Sequence, residues 1–165
     1  MLRYKCLSGL IVILFVFGVL TIDSALAGEK VKGTATSVRT KWQPIEVGDE
    51  EGHIIAVYEN TNVYHSAQGE QKPTGISTGI VDMNVKTGQG TLKGYVVISY
   101  PNGDKLHLKT EGQLLGSGKT EGTAVYVGGT GRFEGAKGSV VWKSKSLEPG
   151  ISFLESEGEM ELSGK

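Results

Sequence analysis

The chain has 165 residues, with 17 basic and 18 acidic side chains, 25 glycines, four prolines and a single cysteine. Charge so evenly balanced, and not gathered into blocks, argues against a nucleic-acid partner and against a charged tail. The scarcity of proline argues against a collagen-like or linker sequence.

The first segment carries two positive charges, Arg3 and Lys5, ahead of an apolar run from Leu7 to Leu20 and a small-residue ending at Ala25-Leu26-Ala27. These are the three parts of a secretory signal. Residues 1–27 are therefore expected to be a cleaved signal peptide, with the mature chain starting at Gly28 and secreted or periplasmic. The alternative is an uncleaved membrane anchor; the run is shorter than the roughly 20 residues of a membrane-spanning helix, which favours cleavage and leaves no membrane association afterwards. Removing 27 of the 165 residues leaves 138, the size of one domain, expected over 28–165. Cys6 leaves with the signal, so neither disulfides nor thiolate metal sites are expected in the mature chain.

From there on, short runs rich in Val, Ile, Thr and Tyr recur between turn signals. They predict strands at about 31–42, 53–65, 74–85, 91–100, 104–111, 122–128, 138–146 and 150–162. Tyr100-Pro101-Asn102-Gly103-Asp104 carries the Asn-Gly of a tight hairpin, and 86–90 and 147–150 read as further turns. Eight strands in one small domain predict an all-β fold. Closure into an eight-stranded antiparallel β-barrel removes the exposed edges, and an open two-sheet sandwich is the other arrangement. A barrel of this size has an interior that side chains fill or a small ligand occupies.

Several residues stand out chemically. Glu59 follows the apolar run Ile54–Tyr58; burial there would raise its pKa and suit it to act as an acid or to polarise an electrophile. Ile80, Asp82 and Asn84 share one strand face, and Val81, Met83 and Val85 the other. Asp82 and Asn84 are cavity groups if their face points inward and surface groups if it does not. Tyr58, Tyr95, Tyr126, Trp142 and Phe153 are expected in the core or the cavity wall. Glu155, Glu157, Glu159 and Glu161 read as one solvated strand face. His53, His65 and His107 lack the spacing of a metal site, and no metal is expected.

Residues 124–138 read Ala-Val-Tyr-Val-Gly-Gly-Thr-Gly-Arg-Phe-Glu-Gly-Ala-Lys-Gly. Gly128, Gly129, Gly131, Gly135 and Gly138 punctuate a chain reversal, and Phe133 is its one large apolar side chain, expected to plug a barrel end. The stretch resembles the Gly-Gly-x-Gly-x-Phe-Glu-Gly-Ala-x-Gly segment of plant allene oxide cyclases and the Gly-Gly-Thr-Gly-x-Phe signature of dirigent proteins. Val57-Tyr58-Glu59 is similar to the opening of the cyclases' first long strand. The resemblance implies an eight-stranded barrel with a hydrophobic cavity, no cofactor, and assembly as a trimer or dimer. It also implies a cavity position for Glu59, polarising a substrate. The likeness stops there: Thr61 stands where the cyclases have asparagine, nothing near Gln68 matches their Ser-Pro, and their cavity cysteine has no counterpart.

The sequence assigns no reaction. It supports an exported barrel that binds a small apolar molecule, with Tyr58, Asp82, Asn84, Tyr95 and Trp142 as wall residues. The alternative is a cofactor-free isomerase or cyclase acting on an apolar substrate, fatty-acid-derived or polyketide-like, through Glu59.

Overall fold

Alternating apolar and polar residues with β-branched side chains favour extended backbone, and the turn glycines reverse it. The computed structural model describes residues 28–65 and 72–162; the expected signal segment and Gln68 lie outside them. Eight strands follow in order: β1 (Glu29–Glu46), β2 (His53–His65), β3 (Thr74–Asn84), β4 (Gln89–Ser99), β5 (Lys105–Gly116), β6 (Lys119–Gly129), β7 (Lys137–Glu148) and β8 (Ile151–Glu161). A short 3₁₀ turn at Gly131–Phe133 is the one helical element among the described residues. Each strand pairs antiparallel with the next, and β1 also pairs with β8 from Glu29↔Met160 to Val38↔Ile151. The sheet is therefore a closed barrel, not a sandwich.

The largest departure from the expected strand limits is at β5, expected to end at 111, which runs on through Gly112 to Gly116. Glycine at 112 marks close packing inside a strand. Gly112 and Gly122 face each other across the ladder, and a Cβ on either would lie 2.7 Å from the Trp142 ring. The reversal itself is made at Gly116, Ser117 and Gly118, all with positive φ.

One barrel end is plugged. Phe133 is 2% exposed and joins a buried cluster with Leu106, Leu108, Tyr126 and Val140. Its ring packs on Tyr100 at 4.7 Å, and the Arg132 guanidinium covers both rings. The turn is tied to β5: Thr130 N–H donates to the Lys105 carbonyl (2.8 Å), and Lys105 N–H donates to Thr130 Oγ1 (2.9 Å). Gly128, Gly131, Gly135 and Gly138 have positive φ, whereas Gly129 does not. At Gly129 the constraint is space, because a Cβ would fall 2.7 Å from that of Phe133.

Truncating a buried Phe costs about 3–5 kcal/mol, made up of lost transfer energy and the cavity left behind. Phe133→Ala is therefore expected to lower the denaturant midpoint strongly without changing the strand content seen by circular dichroism. An unchanged midpoint would show that the plug does not anchor the barrel.

Candidate functional site

The inner wall follows from strand alternation. Over the middle of β1, β3 and β8 many inward positions are small: Gly33, Ala35 and Ser37; Gly75, Ser77 and Gly79; Ser152, Ser156 and Gly158. Those on β4 and β5 are bulky: Leu92, Val96, Ile98, Leu106, Leu108 and Leu114. The bulky half does not reach across to the small half, so an internal cavity of about 780 Å³ remains. That volume lies within the range of small-molecule sites.

Two aromatic side chains shape it. Tyr58 lies over the cross-strand pair Gly79↔Gly94, where a Cβ would meet its hydroxyl at 2.8–2.9 Å. Trp142 lies over Gly112 and Gly122, and its indole N–H donates to Thr110 Oγ1 (3.0 Å); the Thr110 hydroxyl donates onward to the Thr123 carbonyl (3.1 Å). The β2 wall is more polar. Asn62 Nδ2 donates to Ser77 Oγ (2.6 Å), while Asn60 Oδ1 is buried without a hydrogen-bond partner.

At the end opposite the plug the cavity reaches the surface. A bulge at Thr40 breaks the alternation of β1, since Arg39 pairs with Asn60 and Lys41 with Glu59. The extra residue lets both Arg39 and Trp42 line the cavity, with the guanidinium 4.3 Å from the centre of the indole ring. Partial burial pushes the Arg39 pKa down from its ordinary value.

Of the wall residues expected from sequence, Tyr58, Tyr126 and Trp142 line the cavity. The others do not. Glu59 follows Tyr58 by one residue and so takes the outer face. There it accepts hydrogen bonds from Lys41 Nζ (2.9 Å) and Thr40 Oγ1 (3.1 Å), and these partners hold its pKa below the ordinary value instead of raising it. The expected cavity position for a polarising carboxylate is thereby corrected. On β3, Val81 and Met83 face inward, so Asp82 is external and bonds His53 Nε2 (2.8 Å). Asn84 ends the same outer face, where it bonds Glu50 Oε1 (3.0 Å) in the β1–β2 loop. Tyr95 is 60% exposed on the outer wall. Phe153 contacts the His65 ring and is not part of the lining.

The lining residues missed in sequence are Arg39, Trp42, Asn60, Asn62 and Tyr64. A signal existed for three of them: Tyr58, Asn60, Asn62 and Tyr64 recur every second residue. Desolvation raises the pKa of Tyr64 and pushes that of Tyr126 up to about 12, so both phenols stay neutral across physiological pH. Among the described residues, no three His, Cys, Asp or Glu side chains form a group able to hold a metal.

With this geometry in view, comparison with solved structures is informative. The barrel is similar to the pterocarpan synthase dirigent protein GePTS1, with a TM-score of 0.53 and 16% identity over 83% of this chain and 88% of that one. It is similar also to the pterocarpan synthase dirigent protein PsPTS1, with a TM-score of 0.52 and 13% identity over 83% of this chain and 96% of that one. No protein-family model and no curated protein sequence matches significantly. At such identities the likeness shows the fold: this is a dirigent-like β-barrel.

An ionic clasp ties the β1–β2 loop to the outer face of β3. His53 pairs with Asp82 through Nε2 (2.8 Å) and with Asp49 through Nδ1 (2.5 Å), and these bonds, that to Asp82 foremost, raise its pKa above 6.5. Both ring nitrogens donate only when the imidazole is protonated. A raised folded-state pKa means that the clasp is fully formed below about pH 6.5 and is lost as pH climbs through the folded value. An NMR titration of His53 should give a midpoint above 6.5 that Asp82→Asn brings back down. A wild-type midpoint at or below 6.5 would show that the paired carboxylates do not hold the ring.

Proposed function

We propose that the protein is exported and binds a small, largely apolar molecule inside its barrel. The observation that carries this reading is the cavity of about 780 Å³ with an apolar β4–β5 wall. Asn60 adds direction. An unpaired buried carbonyl costs roughly 1–3 kcal/mol, and a ligand hydroxyl or N–H at Asn60 Oδ1 would offset that cost. The similar dirigent barrels make small-molecule handling a natural use of this fold. Geometry disfavours isomerisation through Glu59, because its carboxylate sits on the outer wall with Lys41.

Both tryptophans of the chain, Trp42 and Trp142, line the cavity, so intrinsic fluorescence reads its occupancy directly. Titration with decanol is expected to change the emission saturably and to raise the melting temperature. By mass action a ligand at a hundred times its Kd adds about 2.7 kcal/mol. Unchanged emission together with an unchanged melting temperature would defeat the binding reading.

Export rests on the tripartite pattern of residues 1–27. Intact mass and N-terminal sequencing of protein recovered outside the cytoplasm should give Gly28 as the first residue. Recovery of the chain only with Met1 still attached would refute cleavage.

Self-association into a dimer or trimer completes the proposal. The outer wall of β2–β4 exposes Ile76 (52%), Ile80 (53%) and Tyr95 (60%), with Val57 paired to Ile80 and Val97 to Ile76. A continuous apolar strip of this kind is a common subunit contact. Sedimentation should show an oligomer that Ile80→Glu shifts toward monomer; a wild-type monomer at high concentration would exclude it.

A further inference from the structure

We infer that the molecule held in the barrel is an amphipathic carboxylate, with its charged group against Arg39 at the mouth and its apolar body inside. This rests on the binding reading above and adds the headgroup to it.

The first observation is the sign of the lining. The chain has slightly more acidic than basic residues, yet no Asp or Glu lines the cavity, while Arg39 faces it from β1. Lys32 and Lys119 reach only its rim and are exposed at outward-facing strand positions, Lys32 pairing there with Glu157 at 3.3 Å. In a low-dielectric cleft, a charge of one sign focuses its field on a ligand of the other sign.

The second observation is Arg39 itself. Among the described residues its guanidinium pairs with no carboxylate; it stacks on the Trp42 ring. By contrast Lys41, two residues on and outside the barrel, is paired with Glu59. A stacked guanidinium is held planar and oriented, so its fork meets a carboxylate in a bidentate geometry that a lysine ammonium does not reproduce. The stack also survives partial desolvation, which lowers the Arg39 pKa and which an anion at this position would counter.

The third observation is the apolar wall within reach of that charge. Leu92, Val96 and Ile98 of β4 and Leu106 and Leu108 of β5 line the cavity. A molecule with one charged end and one apolar end can place its head on Arg39 and lay its body along that wall.

Decanoate and decanol share a chain and differ in the charge of the head. Wild-type protein, followed by tryptophan emission, is expected to bind decanoate about tenfold more tightly than decanol, the scale of a partly exposed charge-assisted hydrogen bond. Salt should weaken decanoate binding only. Arg39→Gln should reduce decanoate to the level of decanol in the same protein, whose continued saturable binding of decanol shows that the barrel is intact; Arg39→Lys should retain part of the preference. Equal wild-type affinities for the two, or full decanoate affinity in an Arg39→Gln protein that still binds decanol, would overturn the carboxylate assignment alone. Binding of neither would overturn it together with the cavity reading.

Discussion

The molecule depends on one closure. β1 is eighteen residues long and bonds two neighbours, β2 along Thr34–Glu46 and β8 along Glu29–Val38. Once β8 meets β1, the number of strands sets the width of the interior, and every residue is assigned to the inside or the outside by its parity. The content of the interior is then decided by side-chain size. Gly, Ala and Ser hold many inward positions over the middle of β1, β3 and β8, so an enclosure that could have been a solid core holds open space.

Keeping that space defined requires rigid walls. Tyr58 and Trp142 provide them by lying flat over cross-strand glycine pairs, where any larger residue would displace the ring. Glycine in a strand costs roughly 0.5–1 kcal/mol relative to alanine, and aromatic burial offsets this. The Trp142–Thr110 hydrogen bond fixes the indole without leaving a buried polar atom. Asn60 breaks this pattern of satisfaction, and it does so within the cavity.

The bulge at Thr40 separates two electrostatic worlds. Before it, odd residues of β1 face inward; after it, Trp42 does. Arg39 and Trp42 are thereby placed together at the mouth, while Lys41 and Glu59 pair outside. The outer wall is rich in ion pairs exposed to water, where such pairs contribute little to stability. Among the described residues, Arg39 in the lining pairs with no carboxylate.

Much of the fold was legible in the sequence, because strand periodicity and turn chemistry are local. The Asn-Gly hairpin at Tyr100–Asp104 forms through Gly103 N–H donating to the Tyr100 carbonyl (2.9 Å), and the solvated face of Glu155, Glu157, Glu159 and Glu161 is exposed throughout. The fifth strand was expected to stop before Gly112 because a glycine that admits a ring and a glycine that makes a turn look alike until the ring is placed. The alternation in Ile80–Val85 separated two faces without saying which was inside; only the closed sheet made Val81 internal and Asp82 external. The same parity put Tyr58 in the cavity and Glu59 out of it, and a single extra residue at Thr40 brought Arg39 beside Trp42 against the two-residue period. A sequence sets the period of a strand, but its phase relative to the core is fixed by pairing with strands distant in the chain, and so the chemistry of this cavity was decided by tertiary structure.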